Sequence, residues 1–309
     1  MEKQELLLRE TMESNSPVCC PTGSWPQLLR TREEINGEET PTFAGEVIML
    51  DQATETRAYV VQPNKESTPF KGSLMVIPDI YSVRALNLQS RSGDRMGVIC
   101  DALAAQGYRV ALLDIFHDEP FDMSIGAPSD GKFEKFQAFA QNGAHAWFTK
   151  HNYQHLAASV RACKDFLMQN CPEPNKSLGA IGFCFGTWVT SKANAMGDVD
   201  FTCSVGYHPS TRLEGFHGGD EIQLLNSLKM PTLFMWAGND SEVFLENKPG
   251  RDALEKTGGG VLEFSDMLHG WVSRGDVAND LVKRDVEKAL NSTFEFLEKH
   301  MGETTPTKD

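Results

Sequence analysis

Short apolar runs alternate with helical patterns along the chain from about residue 45 onward. Continuous apolar segments such as Ser73–Ile77 and Tyr108–Leu113 are typical of strands that are buried on both faces. Between the runs, apolar residues recur three or four positions apart, as in Arg91–Gln106, which ends before Gly107. This alternation predicts an α/β fold with a mostly parallel sheet of about eight strands and helices on both of its faces.

The predicted elements begin after a poorly periodic leader. The predicted strands are Gly45–Leu50, Thr56–Val61, Ser73–Ile77, Tyr108–Leu113, Leu178–Phe183, Phe201–Tyr207, Thr232–Ala237 and Val261–Phe264. The predicted helices are Arg91–Gln106, His155–Gln169, about 185–196, and Asp276–His300. The chain has 309 residues, of which 40% are hydrophobic, enough for one core. We therefore expect an irregular N-terminal extension over residues 1–42, one domain over 43–302 and a flexible tail over 303–309.

Charge and hydropathy narrow the range of partners. The formal net charge of −14 argues against a nucleic-acid partner, because phosphate binding requires clustered basic residues. No apolar run approaches the roughly 18–20 residues that span a bilayer, so no membrane association is expected. The acidic start Met1–Glu5 does not resemble a secretory signal. These features favour a cytoplasmic protein, and no pattern indicates its oligomeric state.

Seven cysteines in a long chain, without a dense pairing pattern, fit a reducing compartment. Cys19 and Cys20 have no partner pair at zinc-like spacing, and neither a metal nor a cofactor is expected. Cys100, Cys163 and Cys203 lie in apolar or helical contexts typical of core residues. Cys184 has a different setting.

Cys184 lies in the segment Gly182-Phe183-Cys184-Phe185-Gly186, between a predicted strand and a predicted helix. This matches the G-x-S-x-G nucleophile elbow of the α/β-hydrolase fold, with cysteine in the place of serine. Small flanking residues let the strand and helix approach closely, and the helix N-terminus favours the thiolate. The backbone N–H of Phe185 can donate to an oxyanion. The motif alone also allows a buried structural cysteine beside two incidental glycines.

An acid and a histidine follow in the order that this fold requires. Asp240 comes after the strand Thr232–Ala237, and His269 comes after the strand Val261–Phe264. His269 would accept the thiol proton, while Asp240 would orient the imidazole and stabilise its charged form. Either residue alone has an ordinary explanation as a turn aspartate or a capping histidine. The ordered set predicts a Cys184–Asp240–His269 triad.

The strand that ends at Ile77 supplies two further candidates. The N–H of Ile80 is the expected second oxyanion donor beside that of Phe185. Asp79 places a carboxylate near the thiol, where it can hold the thiol protonated or accept its proton. An aspartate that only caps the loop is the alternative.

Several separated segments resemble the dienelactone hydrolase (carboxymethylenebutenolidase-like) family, and particularly its eukaryotic branch. These segments are the cysteine elbow, Asp79-Ile80-Tyr81, the stretch 114–121, His208-Pro209-Ser210, and His269-Gly270-Trp271 with Arg274. The resemblance covers about residues 43–300. It implies an α/β-hydrolase fold and nucleophilic acyl transfer by a Cys–Asp–His triad.

The resemblance also implies roles around the nucleophile. Asp79 stands where bacterial members usually have glutamate, and Arg274 matches one of the two arginines with which those members clamp a substrate carboxylate. Further candidates for substrate binding or support are Tyr81, His117, His208 and Trp271. His117 and His208 could instead be loop histidines bonded to the backbone.

The combined expectation is a hydrolase of small esters, lactones or thioesters that acts through an acyl-enzyme at Cys184. One alternative is a non-catalytic protein of the same fold that binds a small molecule as a sensor or carrier. Another is a redox-sensing thiol at Cys184, although the sequence shows no resolving cysteine.

Overall fold

A computed structural model of the chain describes residues 43–64, 68–80, 91–117, 145–169, 171–172 and 176–302. The predicted extension over residues 1–42, the predicted tail over 303–309 and the candidate Tyr81 lie outside the described residues.

The described residues contain strands and helices in alternation. The strands are β1 (Glu46–Asp51), β2 (Thr56–Val61), β3 (Gly72–Ile77), β4 (Tyr108–Leu113), β5 (Leu178–Phe183), β6 (Cys203–Tyr207), β7 (Thr232–Ala237) and β8 (Gly260–Phe264). The helices are α1 (Arg91–Ala105), α2 (His145–Lys150), α3 (Tyr153–Gln169), α4 (Phe185–Ala195), α5 (Leu213–Phe216), α6 (Glu221–Asn226), α7 (Pro249–Lys256), α8 (Trp271–Arg274) and α9 (Asp280–Met301), with a 3₁₀ turn at Glu242–Phe244.

The eight strands form one sheet in the order β1-β2-β4-β3-β5-β6-β7-β8. β2 is antiparallel to both β1 and β4, and the remaining neighbours are parallel. The predicted α/β-hydrolase fold is therefore confirmed.

Helices cover both faces because alternate residues of each buried strand point to opposite sides of the sheet. In β3, Met75 and Ile77 join the core beneath α3, α4 and α7, whereas Leu74 and Val76 join the core beneath α1, α8 and α9. The continuous apolar runs of the sequence thus supply two separate cores.

Each predicted strand matches an observed strand to within two residues at either end. The prediction for the last helix was wrong at its start, since α9 begins at Asp280 rather than Asp276. The Asn279 side chain caps this helix by accepting a hydrogen bond from the Leu281 N–H at 3.0 Å, and Asp276 instead closes a turn with the Ala278 N–H. A short helix was expected within residues 115–150, where α2 lies. The short helices α5, α6, α7 and α8 were not predicted, because they span too few residues to show periodicity.

The helix α4 packs unusually close to the ends of β3 and β5. A Cβ atom on Gly186 would lie 2.1 Å from the carbonyl oxygen of Ile77, and one on Gly182 would lie 2.5 Å from the backbone of Thr187. Two residues without side chains therefore let the first turn of α4 rest directly on the carboxyl end of the sheet.

We expect the substitution Gly186→Ala to lower the free energy of unfolding by about 2–4 kcal/mol, because backbone atoms must move to accommodate the methyl group. Chemical denaturation measures the change. Gly215→Ala is the matched control, since a Cβ there meets no atom within 4 Å and lies in a helix, and it should be neutral or slightly stabilising. Equal losses in the two variants would contradict the close approach.

Candidate active site

The turn between β5 and α4 holds Cys184 in a strained backbone conformation. Its φ is 52° and its ψ is −112°, outside the regions that side-chain-bearing residues normally occupy. Two hydrogen bonds fix this turn. The Cys184 N–H donates to the carbonyl of Tyr207 at 3.0 Å, and the Thr187 N–H donates to the carbonyl of Cys184 at 3.0 Å. The sulfur is thereby held at the N-terminus of α4, in the geometry of a nucleophile elbow.

His269 and Asp240 form a buried pair at the ends of β8 and β7. The Nδ1 atom of His269 lies 2.5 Å from Oδ1 of Asp240, and both side chains are almost completely excluded from solvent. The second carboxylate oxygen, Oδ2, accepts a hydrogen bond from the Ala237 N–H at 2.8 Å. The Asn239 side chain also accepts from the His269 N–H at 2.6 Å. Orientation of the imidazole is thus set by its side chain and its backbone together.

The surroundings of His269 determine its charge. Burial by itself lowers the pKa of His269, but the charges of Cys184 and Asp240 and the hydrogen bond to Asp240 outweigh burial and raise the pKa well above 6.5. Nε2 makes no well-aligned hydrogen bond to any described residue, although the sulfur is close enough for its charge to act on the ring. These interactions favour the charged imidazolium form of His269.

The two oxyanion candidates lie on either side of the close contact between α4 and β3. Ile80 is 2% exposed and follows the end of β3, while Phe185 is the first residue of α4. Because Gly186 rests against Ile77 and Pro78, the start of α4 lies next to the segment that carries Ile80. The structure thus brings these two backbone segments together beside Cys184.

The Asp79 carboxylate is paired with the buried guanidinium group of Arg274. Its Oδ2 accepts a hydrogen bond from the Ser273 hydroxyl at 2.5 Å and forms an ion pair with Nη1 of Arg274. The side chains of Asp79 and Arg274 are fully buried. The carboxylate expected to regulate the thiol is therefore also the counter-charge of the arginine expected to bind the substrate.

His208 and Trp271 line the site between the triad candidates and the core. The His208 ring centroid lies 4.9 Å from that of His269 and 6.1 Å from that of Trp271. Burial is the main cause that lowers the pKa of His208 to about 3, and nearby His269 and Arg274 act in the same direction. His208 is accordingly neutral near pH 7, in contrast to His269.

His117 lies apart from this group. It is exposed, has a φ of 52°, and places Nε2 3.1 Å from the Ser159 hydroxyl on α3. The structure gives it a bond to a neighbouring helix and no described contact with Cys184, Asp240 or His269.

Three polar residues at the site were not singled out from the sequence. The Ser210 hydroxyl donates to the Cys184 sulfur at 3.3 Å, Ser273 bonds Asp79, and Asn239 bonds the backbone of His269. Serine and asparagine are common in loops, so their presence in the sequence did not indicate a functional role. The position of Ser210 in the His208-Pro209-Ser210 segment was the available clue.

In the described part of the chain, no helix is long and apolar enough to cross a membrane. The same residues contain no group of three or more histidine, cysteine, aspartate or glutamate side chains arranged to hold a metal ion.

The eight-stranded sheet, with a cysteine in the turn between β5 and α4, places the protein in the α/β-hydrolase fold class. The sequence model of the dienelactone hydrolase family matches residues 56–301, which is most of the chain. The chain therefore belongs to the dienelactone hydrolase family, and the resemblance of its motifs is confirmed. Family membership supports an ester hydrolase as the general class of activity.

Individual relatives are distant. The carboxymethylenebutenolidase homolog of Mus musculus is 25% identical over 256 residues, which cover 81% of this chain and 90% of the mouse protein. Among solved structures, a putative dienelactone hydrolase from Klebsiella pneumoniae has a TM-score of 0.54 at 14% identity, covering 82% of this chain and 99% of that one. The esterase Est2 of Thermogutta terrifontis has a TM-score of 0.55 at 14% identity, covering 87% and 96% respectively. These two structures share the fold.

Substitution of Asp79 tests the buried ion pair. We expect Asp79→Asn to lower the free energy of unfolding by about 3–5 kcal/mol, because the Arg274 guanidinium then stays buried without its carboxylate. Urea denaturation provides the measurement. Arg161→Met is the control, since it breaks a partly exposed pair with Asp198 and should cost less than about 1 kcal/mol. Similar losses of unfolding free energy in the two variants would show that the buried ion pair contributes no more to stability than the exposed one.

Substitution of Asp240 tests the control of His269. In Asp240→Asn a cause that raises the pKa of His269 is lost, so the imidazolium should lose its proton at a lower pH. The alkaline limb of the pH profile of kcat/KM should therefore move to lower pH, and kcat/KM should fall about 10³–10⁴-fold. Hydrolysis of p-nitrophenyl acetate between pH 5 and 10 would report both effects.

The matched control for this test is Asp266→Asn, which changes an exposed aspartate three residues before His269. It should leave the pH profile in place. An alkaline limb that stays fixed in Asp240→Asn would remove Asp240 from the control of the imidazole.

Proposed function

We propose that this chain hydrolyses small carboxylic esters, lactones or thioesters through Cys184, with His269 and Asp240 as proton carrier and orienting acid. One observation carries the proposal. A cysteine in a strained elbow at a helix N-terminus lies beside a buried imidazole whose Nδ1 is 2.5 Å from a buried carboxylate. A thiol that served only to fill the core would need neither the backbone strain nor the buried charges.

The proposed reaction has two halves. The Cys184 thiolate attacks the carbonyl carbon, and the carbonyl π electrons move to oxygen to give a tetrahedral oxyanion. As the oxyanion collapses, the bond to the leaving oxygen or sulfur breaks, and the His269 imidazolium donates its proton to that atom. Water then attacks the thioester, neutral His269 takes a proton from the water, and the acid is released with the thiolate restored.

The oxyanion would be stabilised by backbone N–H groups of Ile80 and Phe185. The amide of Phe185 belongs to the first turn of α4, where helical N–H groups lack carbonyl partners within the helix. The contact of Gly186 with Ile77 keeps the Ile80 segment beside that turn. Both donors belong to backbone that packing already fixes, which is the property such a site requires.

Apolar rings surround the first turn of α4 beside the nucleophile. The rings of Phe116 and Trp147 pack against Phe185, with centroids 5.2 and 6.0 Å from its ring. The Arg274 charge is already matched by Asp79, so a substrate carboxylate would have to compete with a buried internal partner. Uncharged acyl groups therefore fit the described residues better than acidic ones.

The test is the substitution Cys184→Ala, assayed with a panel of short-chain esters, lactones and thioesters. We expect kcat/KM to fall at least about 10³-fold, because the acyl-enzyme can no longer form. Trapping of a thioester at Cys184 by rapid acid quench and peptide mass spectrometry should succeed only with the unmodified protein.

Cys171→Ala is the control, since it removes a thiol that is only partly buried and should keep full activity. Turnover that persists in Cys184→Ala would overturn the mechanism. Tight ligand retention without turnover in the unmodified protein would favour a binding role instead.

A further inference from the structure

The turn at residues 208–210, which follows β6, is held beside the nucleophile elbow by backbone hydrogen bonds. The His208 N–H donates to the carbonyl of Met235 on β7 at 2.9 Å, and the Ser210 N–H donates to the carbonyl of Cys184 at 3.3 Å. His208 has a φ of 38°, a left-handed conformation that a residue with a Cβ rarely adopts. Both side chains are completely buried. Backbone strain here serves to place two polar side chains at the elbow.

Ser210 faces the reacting atom. Its hydroxyl donates to the Cys184 sulfur at 3.3 Å. Donation to a sulfur favours the ionised form of the thiol, because a thiolate accepts a hydrogen bond more strongly than a neutral thiol does. The hydroxyl is thus positioned to stabilise the nucleophile in its reactive state.

His208 can reinforce this effect without adding a charge. Its ring nitrogens make no well-aligned hydrogen bond to any described residue. The ring lies beside His269, and its interaction with Cys184 opposes the burial that lowers the pKa of His208. A neutral imidazole carries one N–H. That N–H can therefore be offered to an ionised sulfur, while the lack of positive charge avoids repulsion of the His269 imidazolium.

We propose that residues 208–210 are a thiolate-stabilising turn, in which the Ser210 hydroxyl and the neutral His208 imidazole donate hydrogen bonds to the ionised Cys184 sulfur. This inference rests on the proposed role of Cys184 and adds two residues to it. The turn lowers the pH at which the sulfur becomes nucleophilic, independently of the imidazolium of His269.

The other titratable groups around this turn come from four places in the fold. His269 and Asp240 face it from the ends of β8 and β7, and the Asp79–Arg274 pair faces it from the end of β3 and from α8. Single substitutions at Ser210 leave all four groups in place, so a change in thiol ionisation can be assigned to the hydroxyl.

The experiment measures the rate of alkylation of Cys184 by iodoacetamide as a function of pH, read at the Cys184 peptide by mass spectrometry. Loss of one hydrogen bond to a charged group should raise the midpoint of that curve in Ser210→Ala by about one pH unit. Ser210→Thr keeps the hydroxyl and should restore the midpoint. Burial raises the pKa values of Cys100, Cys163 and Cys203, so these thiols should react slowly.

Two variants complete the design. Ser73→Ala removes another fully buried serine hydroxyl, at the opposite end of β3, and should not move the midpoint. His208→Phe keeps a planar ring but removes both nitrogens, and should raise the midpoint, with His208→Asn restoring part of the shift. If His208→Phe does not fold, as judged by a cooperative melting transition, the Ser210 variants decide alone.

An unchanged midpoint in folded Ser210→Ala would overturn the inference. A lower midpoint would overturn it as well, since it would mean that the Ser210 hydroxyl accepts a hydrogen bond from the thiol S–H and thereby stabilises the neutral thiol. Alkylation does not depend on turnover. Failure of the proposed function, seen as activity that persists in Cys184→Ala, can therefore be told apart from failure of this inference.

Discussion

The backbone turn at Cys184 is the constraint on which the rest of the site depends. A φ of 52° at this residue is tolerated because hydrogen bonds from the elbow reach β6 and α4, and because two glycines let α4 rest on the sheet. The cost of such a conformation, on the order of 1–3 kcal/mol, is met by the packing around it. In return the buried Cys184 is held at the N-terminus of α4.

Charge at the site is arranged in compensated pairs. Asp240 faces His269, and Asp79 faces Arg274, all of them in the protein interior. Isolated charges at such depth would be prohibitive, whereas each pair offsets most of its own desolvation. His208 stays outside this scheme by remaining neutral. The rings of the two histidines lie 4.9 Å apart, yet burial lowers the pKa of His208 while neighbouring charges raise that of His269.

The buried ion pairs are local features of a chain whose overall fold is that of its family. The dienelactone hydrolase model covers residues 56–301, while the mouse relative is 25% identical, so shared architecture coexists with extensive change in side chains. The completely buried Asp79–Arg274 pair is a local feature that family membership alone does not describe. Family membership thus accounts for the fold and for the general class of activity.

The sequence by itself determined the strands, their buried character and the order of Cys184, Asp240 and His269 along the chain. Hydrophobic periodicity and chain order are local, so a continuous apolar run or a glycine-flanked cysteine can be recognised without knowing the fold. For the same reason α9 was placed with its start four residues too early, since a capping side chain such as Asn279 competes with neighbouring polar residues for the same role.

Only the tertiary structure showed several of the polar contacts at the site. Asp79 and Arg274 are 195 residues apart in the chain, and Ser210 reaches Cys184 across 26 residues. His117 and His208 looked alike in sequence, each following a strand, yet one lies at the surface beside Ser159 and the other is buried beside His269. Pair contacts depend on strand order and on the direction in which each loop leaves the sheet, and periodicity along the chain contains neither.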